Sequence, residues 1–188
     1  MVDAAALQIL MCVRAVRRLN GSMAEAGVLM GGSARLICHE KGDVPLHLFD
    51  VFETLQAPIS LGDADEAEIR AHFGAVHGRR DAVERLLAPY DGVALHSGVF
   101  PKTTAGMEGE RFSFVHLDLD LPGSTRDALA FFHPRLLKGG ILIGDDYDDL
   151  TVRATFRAYF GSRDDTVIDL PWGQVMVVKH DDPAPGAA

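Results

Sequence analysis

The run Phe112-Ser-Phe-Val-His-Leu-Asp-Leu-Asp-Leu121 and the run Gly139-Gly-Ile-Leu-Ile-Gly-Asp-Asp-Tyr147 each join a short apolar stretch to acids. Buried strands of a parallel sheet read this way, and open α/β sheets bind ligands at the carboxyl ends of their strands. If the two strands are neighbours, Asp118, Asp120, Asp145 and Asp146 converge at one edge. Crowded carboxylates repel one another, so such a group suits a hard divalent cation or a proton in transit.

A second constellation precedes them. Glu25-Ala-Gly27 is followed by Gly31-Gly32, at the expected junction of a strand and a helix. Glycines let backbone amides approach a ligand, and a helix N-terminus adds positive potential. Glu25 would repel a phosphate there and would suit a cationic amine. Asp50 ends the next strand-like run, where a carboxylate can accept hydrogen bonds from ribose hydroxyls. An amine, a ribose and no phosphates describe S-adenosylmethionine better than a nicotinamide cofactor. Taken singly, the Gly-Gly turn reads equally as a structural device and Asp50 as a cap; their order along the chain carries the inference.

These residues need elements to position them. The chain alternates strand-like and helix-like segments, which predicts a Rossmann-like, doubly wound α/β fold with helices on both faces. Helices are expected over 5–19, from the Gly31–Ala34 turn to about Glu40, near 65–73, over 79–88, from Ser124-Thr-Arg-Asp127 to a stop at Gly139-Gly140, and near 150–160. Strands are expected at 23–28, 46–50, 93–96, up to Asp118, at 141–143, and at 166–170 and 174–178, the last two joined by a hairpin-like turn at Pro171-Trp-Gly173. One domain over 1–180 fits a chain of 188 residues, with a disordered tail over 181–188.

Composition narrows the function. The formal net charge of -9 argues against a nucleic-acid partner. Two cysteines, Cys12 and Cys38, make no disulfide framework and suit a reducing, cytoplasmic setting. The apolar run from Ala4 to Val13 is too short to span a bilayer and has its arginines on the wrong side for a signal peptide. His116, on the strand face of Asp118, reads first as a buried, hydrogen-bonded histidine and second as a base. His96 and His133 take the first reading.

Together, Glu25-Ala-Gly-Val-Leu-Met-Gly-Gly-Ser-Ala34, Leu46-His-Leu-Phe-Asp-Val-Phe-Glu53, Leu95-His-Ser-Gly-Val-Phe-Pro101, Val115-His-Leu-Asp-Leu-Asp-Leu121 with Ser124-Thr-Arg-Asp-Ala-Leu129, and Gly139 to Tyr147 resemble the macrocin O-methyltransferases over residues 20–160. The resemblance implies a seven-stranded, mostly parallel sheet with an antiparallel last strand. It implies S-adenosylmethionine as cofactor, with Glu25, Gly27, Gly31, Gly32, Ser33 and Asp50 in its pocket and Ser97 and Gly98 near the adenine. It further implies magnesium on Asp118, Asp145 and Asp146, Asp120 as general base, and a hydroxylated small molecule, a sugar or glycosylated natural product, as acceptor. Residues 54–64, 101–110 and the segment after Tyr147 are expected to build the acceptor pocket. Relatives often self-associate, which leaves a homo-oligomer open. Pro122, Thr54-Leu55-Gln56 and Asp148 depart from the family pattern. A non-catalytic S-adenosylmethionine-binding relative is the alternative reading.

Overall fold

A computed structural model describes residues 2–52 and 78–181. The helix expected near 65–73, the candidate acceptor segment 54–64 and nearly all of the tail lie outside them. Seven strands form one sheet: β1 (Ser22–Ala26), β2 (Leu46–Asp50), β3 (Val93–Ser97), β4 (Phe112–Leu117), β5 (Leu136–Gly144), β6 (Thr166–Leu170) and β7 (Gln174–Val178). Their order is β3-β2-β1-β4-β5-β7-β6. β1 to β5 pair in parallel, and β7 runs antiparallel to both β5 and β6. This is the expected sheet with its reversed final strand.

The helices are α1 (Asp3–Val16), α2 (Gly32–Lys41), α3 (Arg80–Leu87), α4 (Pro122–Phe132) and α5 (Leu150–Phe160). Ile9, Val13, Ile37 and Val83 cover one face of the sheet with Met23, Phe114 and Ile143. Leu129, Phe132, Phe156 and Phe160 cover the other with Ala24, Val115 and Leu142. The alternation of strand side chains assigns these faces, and each fully buried Phe or Leu contributes about 1.5–3 kcal/mol. Lys41 is buried because its three ammonium protons have three carbonyl acceptors, those of Gly42, Val44 and Asp91.

Two expectations about element ends change. The Ser124–Asp127 segment does not cap α4. The helix begins earlier, with Leu121 at its N-cap and Pro122 in the first turn, where a missing N–H costs nothing. Gly139-Gly140 does not stop that helix either. After Phe132 the chain makes one 3-10 turn, and both glycines lie inside the longer strand β5.

Candidate active site

Backbone pairing brings the strand tips to one edge. The Gly27 N–H donates to the Phe49 carbonyl, Asp118 N–H to Ala26, and Asp145 N–H to Leu117. β2, β1, β4 and β5 therefore release their chains side by side. Gly27 has φ +87°, and a Cβ there would sit 1.7 Å from the Asp118 carbonyl oxygen. Only glycine permits this contact between the loop after β1 and the acids after β4.

Three of the four acids come together. One carboxylate oxygen from each of Asp118, Asp120 and Asp146 lies within 4.8 Å of the others. Asp145, expected among the metal ligands, is outside that group: its Oδ2 is 3.6 Å from His116 Nε2, although its charge still acts on Asp118. Asp120 and Asp146 both have φ +57°, a left-handed conformation that Asp tolerates better than most residues. Burial raises the Asp118 pKa to about 7, opposed by His116 and reinforced by Asp145, Asp146 and Asp120. Burial, then the Asp120 charge and the hydrogen bond with its carboxyl, raises that of Asp146 to about 6. Among the described residues, buried Asp146 Oδ2 finds no hydrogen-bond partner. Three hard oxygen donors, an unpartnered buried oxygen and carboxyls reluctant to ionise together fit a divalent cation.

The cofactor-side residues lie at the same edge in a different arrangement from the expected one. Glu25 is fully buried, and its Oε1 is 2.8 Å from His116 Nδ1. Burial disfavours a charged His116, but the Asp145 and Glu25 carboxylates outweigh it and raise its pKa to about 10. Asp50 Oδ2 accepts the Val28 and Leu29 amides at 2.7 and 2.8 Å, and Oδ1 accepts that of Phe52 at 2.8 Å. Asp50 thus holds the glycine loop in shape and engages amides that a phosphate would otherwise use. Gly31, with φ +80°, caps α2; Gly32 and the buried Ser33 form its first turn.

At the tip of β3, the Gly98 N–H donates to the Asp50 carbonyl, and Ser97 Oγ accepts a 2.7 Å hydrogen bond from Arg80. Arg80 is the neighbour that sequence reasoning missed; it opens α3 and belongs to no motif. Of the bland histidine readings, His133 is buried on Asp165 at 2.7 Å, and His96 stacks on Phe49. Trp172 donates from Nε1 to Gln174 within its turn. Among the described residues, no helix is long and apolar enough to cross a membrane.

A sheet of order 3-2-1-4-5-7-6, with a glycine loop after β1 and acids after β2, β4 and β5, is the class I methyltransferase fold. The family model described as Macrocin-O-methyltransferase (TylF) matches residues 1–177, and the chain belongs to that family of S-adenosylmethionine-dependent O-methyltransferases. It is 33% identical over 138 residues to the 8-demethyl-8-(2,3-dimethoxy-alpha-L-rhamnosyl)-tetracenomycin-C 4'-O-methyltransferase of Streptomyces olivaceus, a match covering 68% of this chain and 53% of that protein. The chain thus spans about half the length of that curated relative. Among solved structures it is similar to the O-methyltransferase NovP, with a TM-score of 0.75 and 24% identity over 94% of this chain and 80% of that one. It is also similar to CalS11, a TDP-rhamnose 3'-O-methyltransferase of calicheamicin biosynthesis, with a TM-score of 0.65 and 19% identity over 95% and 80%. At these identities the two structures show the fold.

Proposed function

We propose that the chain transfers a methyl group from S-adenosylmethionine to a hydroxyl of a sugar, free, nucleotide-linked or attached to a natural product, with help from a divalent cation. The convergence of Asp118, Asp120 and Asp146 at the cofactor edge carries this reading. The rhamnosyl acceptors named for the tetracenomycin enzyme and CalS11 support the acceptor class.

Asp118, Asp120 and Asp146 would hold the cation. When bound, S-adenosylmethionine supplies a sulfonium-activated methyl, and the cation stabilises negative charge developing on the acceptor oxygen. An aliphatic hydroxyl must lose its proton to complete the transfer. Asp120, in the cluster, would accept that proton on a carboxylate oxygen, worth roughly 10²–10⁴-fold in rate. Asp50 shapes the loop over the cofactor by holding the Val28 and Leu29 amides. Ser97 and Gly98, at the tip of β3 next to Asp50, would border the adenine. Glu25 would contribute negative potential to the amine side from beneath the pocket.

The test is methyl transfer from radiolabelled S-adenosylmethionine to a panel of rhamnosides and TDP-rhamnose, with magnesium or with EDTA. Magnesium-dependent labelling of a sugar hydroxyl is expected. Failure of the protein to bind S-adenosylmethionine in calorimetry would overturn the reading.

A further inference from the structure

Glu25, His116 and Asp145 form a row on the α1–α3 face of the sheet. Glu25 is in register with His116 across β1 and β4; His116 is in register with Ile143 across β4 and β5, and Asp145 follows two residues later. His116 is fully buried, with a carboxylate oxygen 2.8 Å from Nδ1 and another 3.6 Å from Nε2. The first contact is a hydrogen bond; the second is a close approach too long for one.

The fold itself does not ask for this row. Buried charged groups are commonly replaced by apolar residues without loss of stability. Among the described residues, moreover, Glu25 Oε2 and His116 Nε2 have no hydrogen-bond partner, which is costly in a core. The positions of the two ends give the row a use. Glu25 lies two residues before Gly27, whose Cα abuts the Asp118 carbonyl. Asp145 is bonded through its backbone to Leu117 and precedes Asp146 of the cluster. One end belongs to the cofactor loop and the other to the acid cluster.

Building on the O-methyltransferase reading above, we propose that His116 is a positioning residue: by engaging Glu25 and Asp145 from opposite sides, it fixes the cofactor loop against the acid cluster and makes cation and S-adenosylmethionine binding cooperative. His116 touches no reacting atom in this role. Cooperativity of this kind is reciprocal, each ligand tightening the other by the same factor.

The experiment is a titration calorimetry cycle on the full chain. S-adenosylmethionine affinity is measured with magnesium and with EDTA, and magnesium affinity with and without S-adenosylhomocysteine. The wild type is compared with His116→Gln and Asp145→Asn. In the wild type each ligand should tighten the other about tenfold, within the usual range for coupled sites. Both variants should bind each ligand singly and lose that coupling factor. A merely structural histidine would lower both affinities and leave their ratio intact. Equal coupling in the wild type and in folded Asp145→Asn would overturn the tie while leaving the methyltransferase reading standing, as would two ligands that bind independently in the wild type. A wild type that binds neither ligand would overturn both.

Discussion

Replacing Asp118 with Asn should make the metal-free protein more stable at alkaline pH. The carboxyl ionises in the folded state near 7 against an ordinary 3.8, because it is buried among Asp145, Asp146 and Asp120, with His116 offsetting part of the repulsion. A folded-state pKa raised above the unfolded value means that the folded state holds the proton more tightly. Stability therefore falls as pH climbs from about 4 to about 7, and the full penalty stands above that. At about 1.4 kcal/mol per pH unit the ceiling is roughly 4 kcal/mol. The attraction to His116 is already contained in that pKa, and solvent at the open edge of the cluster should bring the gain from Asn to about 2 kcal/mol.

Urea unfolding followed by circular dichroism, in EDTA, reads this directly. At pH 8 Asp118→Asn should have the higher midpoint with an unchanged slope, and at pH 4 the two proteins should unfold together. Magnesium at pH 8 should then raise the wild type and leave the variant where it was, because a cation stabilises only the state that holds it. An Asn variant less stable than the wild type at pH 8, or a difference independent of pH, would refute the electrostatic account of the cluster.

Four other outcomes are expected. Gly27→Ala should cost more than about 3 kcal/mol, since its methyl meets the Asp118 backbone at φ +87°, whereas Gly32→Ala, whose methyl meets no described atom within 4 Å, should change stability by less than about 1 kcal/mol; melting temperatures compare them. Asp50→Ala strands three backbone amides and should weaken S-adenosylmethionine binding at least tenfold in calorimetry, with a stability loss of about 2 kcal/mol. Asp120→Asn should keep its left-handed backbone and, in EDTA, its cofactor affinity, while the single-turnover rate of methyl transfer falls roughly 10²–10⁴-fold. The raised pKa of His116 stabilises the fold fully below 6.5, a contribution lost as pH rises through about 10, so His116→Gln in EDTA should flatten the decline in denaturation midpoint between pH 7 and 10.

The frame of this protein was legible because its signals are local and repeated. Apolar runs of strand length, broken by Gly, Pro and Asp, placed β2, β6 and β7 at their observed bounds. The ends of α4 were harder. Ser124, Thr125 and Asp127 are all good caps, but Pro122 pre-sets the backbone for a helical first turn two residues earlier. Gly139 and Gly140 looked like punctuation, yet the chain uses Gly139, at φ +76°, within a strand whose register with β4 shifts between Leu136 and Ile141.

At the site, sequence could deliver acids to an edge but not aim them. Strand alternation puts Asp118 and Asp120 on one face and Asp145 and Asp146 on opposite faces, so Asp145 and Asp146 could not both join Asp118 in a simple extended chain. The left-handed turns at Asp120 and Asp146 break that alternation at the point where the strands end. They bring Asp120 and Asp146 to Asp118 and leave Asp145 facing His116. Any of the four acids could adopt such a conformation, and no pattern in the sequence says which do. What selects them is non-local: the Asp118 and Asp145 amides are committed to Ala26 and Leu117 on neighbouring strands, so the turn falls on the residues that follow. Which acids form the cluster is therefore a property of the sheet's register, and moving the Asp145–Leu117 hydrogen bond by one residue would change which of Asp145 and Asp146 joins it.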